Sequence, residues 1–186
     1  QVTIFAPEQN QFDVVNHLTG EPSSEKRNIM VETARLARGE VKPLISLDTN
    51  NFDGLILPGG FGAAKNFSNF IEDNINFTLN KAYERVLVDF YKSKKPIGSM
   101  CISPILVVKA LKLCDNDVTP IVTIGDDKDN LLQKLGAINK SAKAHEIAID
   151  EKNNLVSTPA YMLEAPLREI SQGINLLVKE LIRRIT

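Results

Sequence analysis

Short apolar runs alternate along the chain with stretches whose apolar residues recur at helical spacing. Val2 to Phe5 is rich in β-formers and stops at Pro7, and Phe12 to Val15 forms a second extended piece before the turn-like Asn16-His17-Leu18-Thr19-Gly20. Asn28 to Arg38 carries Ile29, Val31, Ala34, Leu36 and Ala37 ahead of Gly39, which predicts a helix with a glycine stop. Asp53 to Leu57 ends in a wholly apolar run, the pattern of a strand buried on both faces of a parallel sheet. Leu79, Ala82, Tyr83, Val86, Leu87 and Phe90 keep a helical period within Phe77 to Ser93. A strand from Pro96 to Met100 follows, and then a helix opened by Pro104.

Val118 to Ile124 predicts another strand, and Asp129 is placed to cap a helix from Asn130 to Leu135 that Gly136 ends. Glu146 to Asp150 and Leu155 to Thr158 predict a hairpin around Glu151-Lys152-Asn153-Asn154. The last helix sets Leu167, Ile170, Ile174, Leu177, Leu181 and Ile185 on one stripe, the pattern of a core face. Strands alternating with helices predict an α/β fold, with a mostly parallel sheet covered on both faces. Ligands of such folds bind beyond the carboxyl ends of the strands. The candidate turns all follow strands, so they can converge at one edge of the sheet.

Composition narrows the function classes. With 186 residues and 43% hydrophobic composition, the chain reads as one domain over 1–186 with a substantial core. Its 22 basic and 23 acidic side chains nearly cancel and no basic block appears, which disfavours a nucleic-acid partner. No apolar run approaches the roughly 20 residues that span a bilayer, and no membrane association is expected. Two cysteines, Cys101 and Cys114, argue for a reducing compartment and against a disulfide framework. The sequence opens at Gln1 inside a strand, without an initiator methionine, so the expectation is a processed N-terminus or a missing upstream segment.

Cys101 is the main chemical candidate. It stands between an apolar strand and a helix start, flanked at two residues on either side by Ser99 and Ser103. That is the shape of a nucleophile elbow, whose tight turn admits only small neighbours. The positive end of the following helix and free backbone N–H groups favour a charged sulfur there. A buried core cysteine is the competing reading. Pro58-Gly59-Gly60-Phe61-Gly62 lets backbone N–H groups approach a ligand or an oxyanion closely. It lacks the Gly-Lys-Ser/Thr ending of a phosphate loop and the third glycine of a dinucleotide fingerprint, and an unliganded tight turn is the alternative.

Other groups are weaker candidates. The only histidines are His17, in a turn, and His145, ahead of the hairpin strand, and such loop histidines are more often solvated than catalytic. Two histidines and two cysteines show no zinc-ligand spacing, so neither a metal nor a cofactor is expected. Cys114 sits among Asp115 and Asp117, whose charges blunt its nucleophilicity, and it reads as structural. Thr158-Pro159-Ala160-Tyr161 either borders the cleft or is an ordinary proline turn.

Taken together, Leu57-Pro58-Gly59-Gly60-Phe61-Gly62 and Gly98-Ser99-Met100-Cys101 resemble the ThiJ/PfpI, class I glutamine amidotransferase-like superfamily. Asn16-His17-Leu18-Thr19-Gly20-Glu21, Ala63-Ala64-Lys65-Asn66, Met100-Cys101-Ile102 and Thr158-Pro159-Ala160-Tyr161-Met162 narrow the likeness to the ElbB glyoxalase-like family and its eukaryotic mitochondrial relatives. The resemblance implies a flavodoxin-like three-layer sandwich, a homodimer, and a cytoplasmic or, in a eukaryote, mitochondrial protein. It implies Cys101 as nucleophile and the N–H groups of Gly60 and Ile102 as oxyanion hole, with His17 and Thr158 as pocket or acid/base candidates. The implied reaction converts glyoxal-type aldehydes to hydroxy acids through a Cys101 hemithioacetal, without glutathione or another cofactor. The partner carboxylate of the superfamily follows a first strand that would precede Val2, so that first strand and helix are expected to lie outside this sequence.

Ile102 stands where PfpI-type proteases carry histidine, and Thr123-Ile124-Gly125 lacks the histidine found after the next strand. A Cys-His-Glu protease or glutaminase triad is therefore disfavoured. The alternatives are a non-catalytic redox-responsive or partner-binding protein, in which Cys101 is oxidised or lines a pocket, and an amidotransferase-like hydrolase working with a partner protein.

Overall fold

The computed structural model describes residues 1–185, and the chain divides into two compact units, Gln1–Asp48 and Thr49–Thr186. In the first unit, β1 (Phe5–Ala6), β2 (Val14–Val15), β3 (Pro22–Ser23), α1 (Ile29–Ala37) and β4 (Lys42–Pro43) follow one another. β1 pairs with β4 in parallel, and β2 forms an antiparallel hairpin with β3. The expected helix is there, with its signals read correctly. The Asn28 side chain accepts the Val31 N–H, and the chain leaves through a left-handed Arg38. Phe12, assigned by pattern to a strand, lies outside β2 and is exposed.

The second unit contains β5 (Leu55–Leu57), α2 (Phe61–Asn66), α3 (Phe70–Asp73), α4 (Lys81–Lys92), β6 (Ile97–Met100), α5 (Ser103–Cys114) and β7 (Ile121–Val122). It continues through α6 (Leu131–Lys134), β8 (Ile138–Asn139), β9 (Ala148–Asp150), β10 (Leu155–Thr158) and α7 (Leu167–Ile185). Its main sheet runs β5-β6-β10-β9, the first three strands parallel and β9 antiparallel through the expected hairpin. β5 is an edge strand there and Ile56 is partly exposed, so the expectation of burial on both faces fails at that residue.

β7 is shorter than the predicted run from Val118 to Ile124, because side chains rather than a backbone ladder fasten its other edge. The Ile121 N–H donates to Asp150 at 2.8 Å and the Thr123 N–H to Ser157 Oγ at 2.9 Å, while β7 pairs in parallel only with the two residues of β8. The cap of α6 is Asp127, not Asp129: its carboxylate accepts the Leu131 and Leu132 N–H groups.

The helices bury what their periods promised. The Asn80 side chain caps α4 by accepting from Ala82 and Tyr83, and the helix buries Tyr83, Val86, Leu87 and Phe90. α5 is buried on nearly every side, as expected of a helix in the middle of a core. α7 packs against β6 and β10 through Ile170, Leu177 and Leu181, whereas Leu167 and Ile185, the ends of its predicted stripe, are exposed. No described helix is long and apolar enough to cross a membrane.

The end of α7 is fastened by charge. The Arg184 guanidinium, with only 8% of its side chain exposed, donates to Glu180, to Asn154 at 2.9 Å and to Glu151 at 2.8 Å. Hydrogen bonds from Arg183 first, then Arg184, hold the Glu180 carboxyl down at about 2, against an ordinary value of 4.5. A group depressed in this way stabilises the fold fully above its unfolded value and loses that contribution as pH falls from 4.5 towards 2. The full shift corresponds to about 3 kcal/mol, and the exposure of Arg183 reduces it to roughly 1–2 kcal/mol. Glu180→Gln is therefore expected to lower the urea unfolding free energy by that amount at pH 7, with the difference from wild type shrinking between pH 4.5 and 2. A difference independent of pH would contradict the ion-pair origin.

Candidate functional site

β6 delivers the cysteine. After Met100 the chain must reverse into α5 within two residues, and it does so by placing Cys101 in the left-handed region at φ 59°. A residue with a Cβ adopts that conformation at a cost of about 1 kcal/mol, and such strain collects where a side chain must be aimed. Two hydrogen bonds hold the bend. The Cys101 N–H donates to the Thr158 carbonyl at 3.1 Å, extending the β6–β10 pairing by one residue. Ser103 Oγ donates to the Pro58 carbonyl at 2.6 Å, joining the first residue of α5 to the loop after β5.

That loop lies directly against the cysteine. A Cβ placed on Gly59 would stand 2.4 Å from Cys101 Cβ, 2.7 Å from the Met100 carbonyl oxygen and 3.1 Å from Cys101 Sγ. Only a glycine allows this approach. Gly60, at φ 99°, then turns the chain into α2, its carbonyl accepting from Ala63 and Ala64. Among the described residues, the N–H groups of Gly60 and Ile102 donate no backbone hydrogen bond. Ile102 directly follows the cysteine, and Gly60 directly follows the Gly59 that packs against it.

Around the sulfur the packing is apolar. Cys101, Met100, Ala165 and Ile174 pack on a buried cluster of Ala144, Ala160 and Ile170. Ala144 and Ala165 also line a cavity of about 950 Å³ that reaches Ile124, Asp126, Met162 and Glu169. The residues next to Ala144 and Ile170 form a pair: His145 Nδ1 lies 3.5 Å from Glu169, both side chains a little under half exposed. His145 is thus partly exposed, as expected of a loop histidine. Its acidic partner, 24 positions away on α7, had no local signal in the sequence.

The remaining candidates divide. Thr158 is fully buried and its hydroxyl donates to the Glu146 carbonyl at 2.9 Å, while its own carbonyl holds Cys101. It is a framework residue and offers no titrating group. His17 lies in the exposed Asn16–Gly20 turn of the first unit. Cys114 closes α5, twelve residues long, so about 18 Å of helix separates it from the elbow, and both thiols are free. No group of three or more His, Cys, Asp or Glu among the described residues is placed to hold a metal ion.

No protein-family model matches the chain. It is 40% identical over 194 residues to "ES1 protein homolog, mitochondrial" of Rattus norvegicus, covering 98% of this chain and 71% of the relative. It is 39% identical to the human "Glutamine amidotransferase-like class 1 domain-containing protein 3, mitochondrial", with 98% and 70% covered. The chain belongs to this ES1, glutamine amidotransferase-like class 1 family. The family resemblance carried by the glycine loop and the elbow is thereby established. The crystal structure of an isoprenoid biosynthesis protein with an amidotransferase-like domain from Ehrlichia chaffeensis matches at a TM-score of 0.92 and 36% identity, over 99% of this chain and 83% of that one. The fold is therefore the expected flavodoxin-like α/β fold. The Francisella tularensis Rapid Encystment Protein 24 KDa, at a TM-score of 0.55 and 13% identity, shares the fold alone.

Proposed function

We propose that this member of the family is a cofactor-independent enzyme that converts glyoxal-type aldehydes to hydroxy acids on Cys101. The observation that carries the reading is the strained cysteine, seated against Gly59, with the N–H groups of the neighbouring Gly60 and of Ile102 donating no backbone hydrogen bond. In the proposed reaction the Cys101 thiolate adds to one carbonyl of glyoxal, and the oxyanion is received by those two N–H groups. Protonation gives the hemithioacetal. Its C–H proton then moves, through an enediol, to the neighbouring carbon, which leaves a thioester of glycolate. Water hydrolyses the thioester, releasing glycolate and restoring the thiol, so that one glyoxal and one water give one hydroxy acid with no external oxidant.

For the proton transfer we assign His145. The Glu169 carboxylate, 3.5 Å from Nδ1, faces that side of the ring and leaves Nε2 as the exchangeable site. Its neighbour Ala144 belongs to the cluster on which Cys101 packs. His145→Asn is expected to lower kcat about 100-fold, and Glu169→Gln about 10-fold. Wild-type kcat in both variants would remove the pair from the mechanism. We also propose a mitochondrial location, since the rat, human and zebrafish relatives are all named as mitochondrial proteins.

The deciding experiment is incubation of the purified protein with glyoxal in the absence of glutathione, with glycolate quantified against a protein-free control. Glycolate formation with a transient mass increment on Cys101 is expected. Absence of turnover, together with selective oxidation of Cys101 by mild peroxide, would instead favour the non-catalytic redox-responsive alternative.

A further inference from the structure

The glycine loop is held to the elbow by a buried hydroxyl group. Ser103, fully buried, gives its single hydroxyl hydrogen to the Pro58 carbonyl at 2.6 Å.

The Pro58 carbonyl belongs to the same peptide plane as the Gly59 N–H, one residue before Gly60. The bond therefore anchors the peptide through which the chain reaches Gly59, packed on Cys101, and then Gly60. We propose that Ser103 is a positioning residue for the oxyanion pocket, acting on the Pro58–Gly59 peptide without touching substrate. The inference rests on the reading of Cys101 as a nucleophile that carries a carbonyl adduct. It goes beyond that reading by assigning a role to a buried residue outside the pocket.

One assay separates the two ideas. Iodoacetamide alkylates Cys101 without needing an oxyanion pocket. A simple aldehyde with no second carbonyl, such as butyraldehyde, forms a hemithioacetal that cannot isomerise and protects the thiol. In Ser103→Ala, protection is expected to need about 10-fold more aldehyde, and kcat on glyoxal to fall at least as far with KM little changed. The iodoacetamide rate should stay within about twofold of wild type.

Unchanged protection in Ser103→Ala would overturn the positioning role while leaving Cys101 as nucleophile. Equal losses of alkylation and protection would also overturn it, since they would mark general disruption of the elbow. If wild-type Cys101 is neither alkylated nor protected by aldehyde, the reading of Cys101 fails and the positioning role falls with it.

Discussion

Cys101→Ala is expected to lower glyoxal consumption at least about 1,000-fold while leaving the protein folded. The loss should be large because the thiol forms every covalent intermediate of the proposed sequence, and no other thiol sits at the elbow. Cys114, the second thiol, is at the far end of α5. Stability should barely change, since alanine carries the same Cβ as cysteine at φ 59° and inherits the same backbone strain. Cys101→Gly sharpens the test. Glycine adopts that conformation freely, so this variant should be as inactive as the alanine one and yet more stable by up to about 1 kcal/mol. Thermal melting and glyoxal turnover measured side by side check both halves. More than a tenth of wild-type turnover in either variant would move the chemistry away from Cys101.

That pairing of strain with an aimed side chain was legible in the sequence, because the constraint is local. An apolar strand running into Cys101 and a proline in the next helical turn leave little room for any other bend. The same holds for α1, whose Asn28 cap and Arg38-Gly39 exit lie within the helix's own sequence. What the sequence hid depends on contacts between distant segments. β8 exists only because Ile138 and Asn139 pair with a two-residue β7, and nothing in Ile138-Asn139 alone marks a strand. Asp127 and Asp129 are equally good caps by type. The choice falls to Asp127 because both of its carboxylate oxygens reach the first turn of α6. The exposed ends of α7 show a further limit, since helical periodicity continues beyond the reach of the core.

At the site the division is the same. The cysteine and the two glycines announce themselves, whereas the contacts made by distant segments do not. Ser103 was visible only as a small neighbour, and its bond to Pro58 spans 45 positions. His145 and Glu169 are unremarkable until α7 folds back against the loop before β9.

Gly59→Ala should damage both the fold and the reaction. The new methyl group would stand 2.4 Å from Cys101 Cβ and 2.7 Å from the Met100 carbonyl oxygen, distances that real atoms do not tolerate. Neither obstacle can rotate away: one is fixed to the strained elbow and the other belongs to the backbone of β6, paired with β10. The loop must therefore retreat, and the 2.6 Å bond from Ser103 to the Pro58 carbonyl is the contact that gives. Overpacking with loss of that buried bond is expected to cost about 2–4 kcal/mol, read as a lower urea midpoint. Because the Gly60 N–H moves with the loop, kcat should fall by about 100-fold or more. Gly62→Ala is the control three residues along. There the nearest atom to an added Cβ is Asn66 Nδ2 at 3.9 Å, and alanine is a better helix former within α2. That variant should match or exceed wild-type stability and keep full turnover. If Gly59→Ala behaves like Gly62→Ala, the glycine loop does not sit on the cysteine and cannot supply its oxyanion donor.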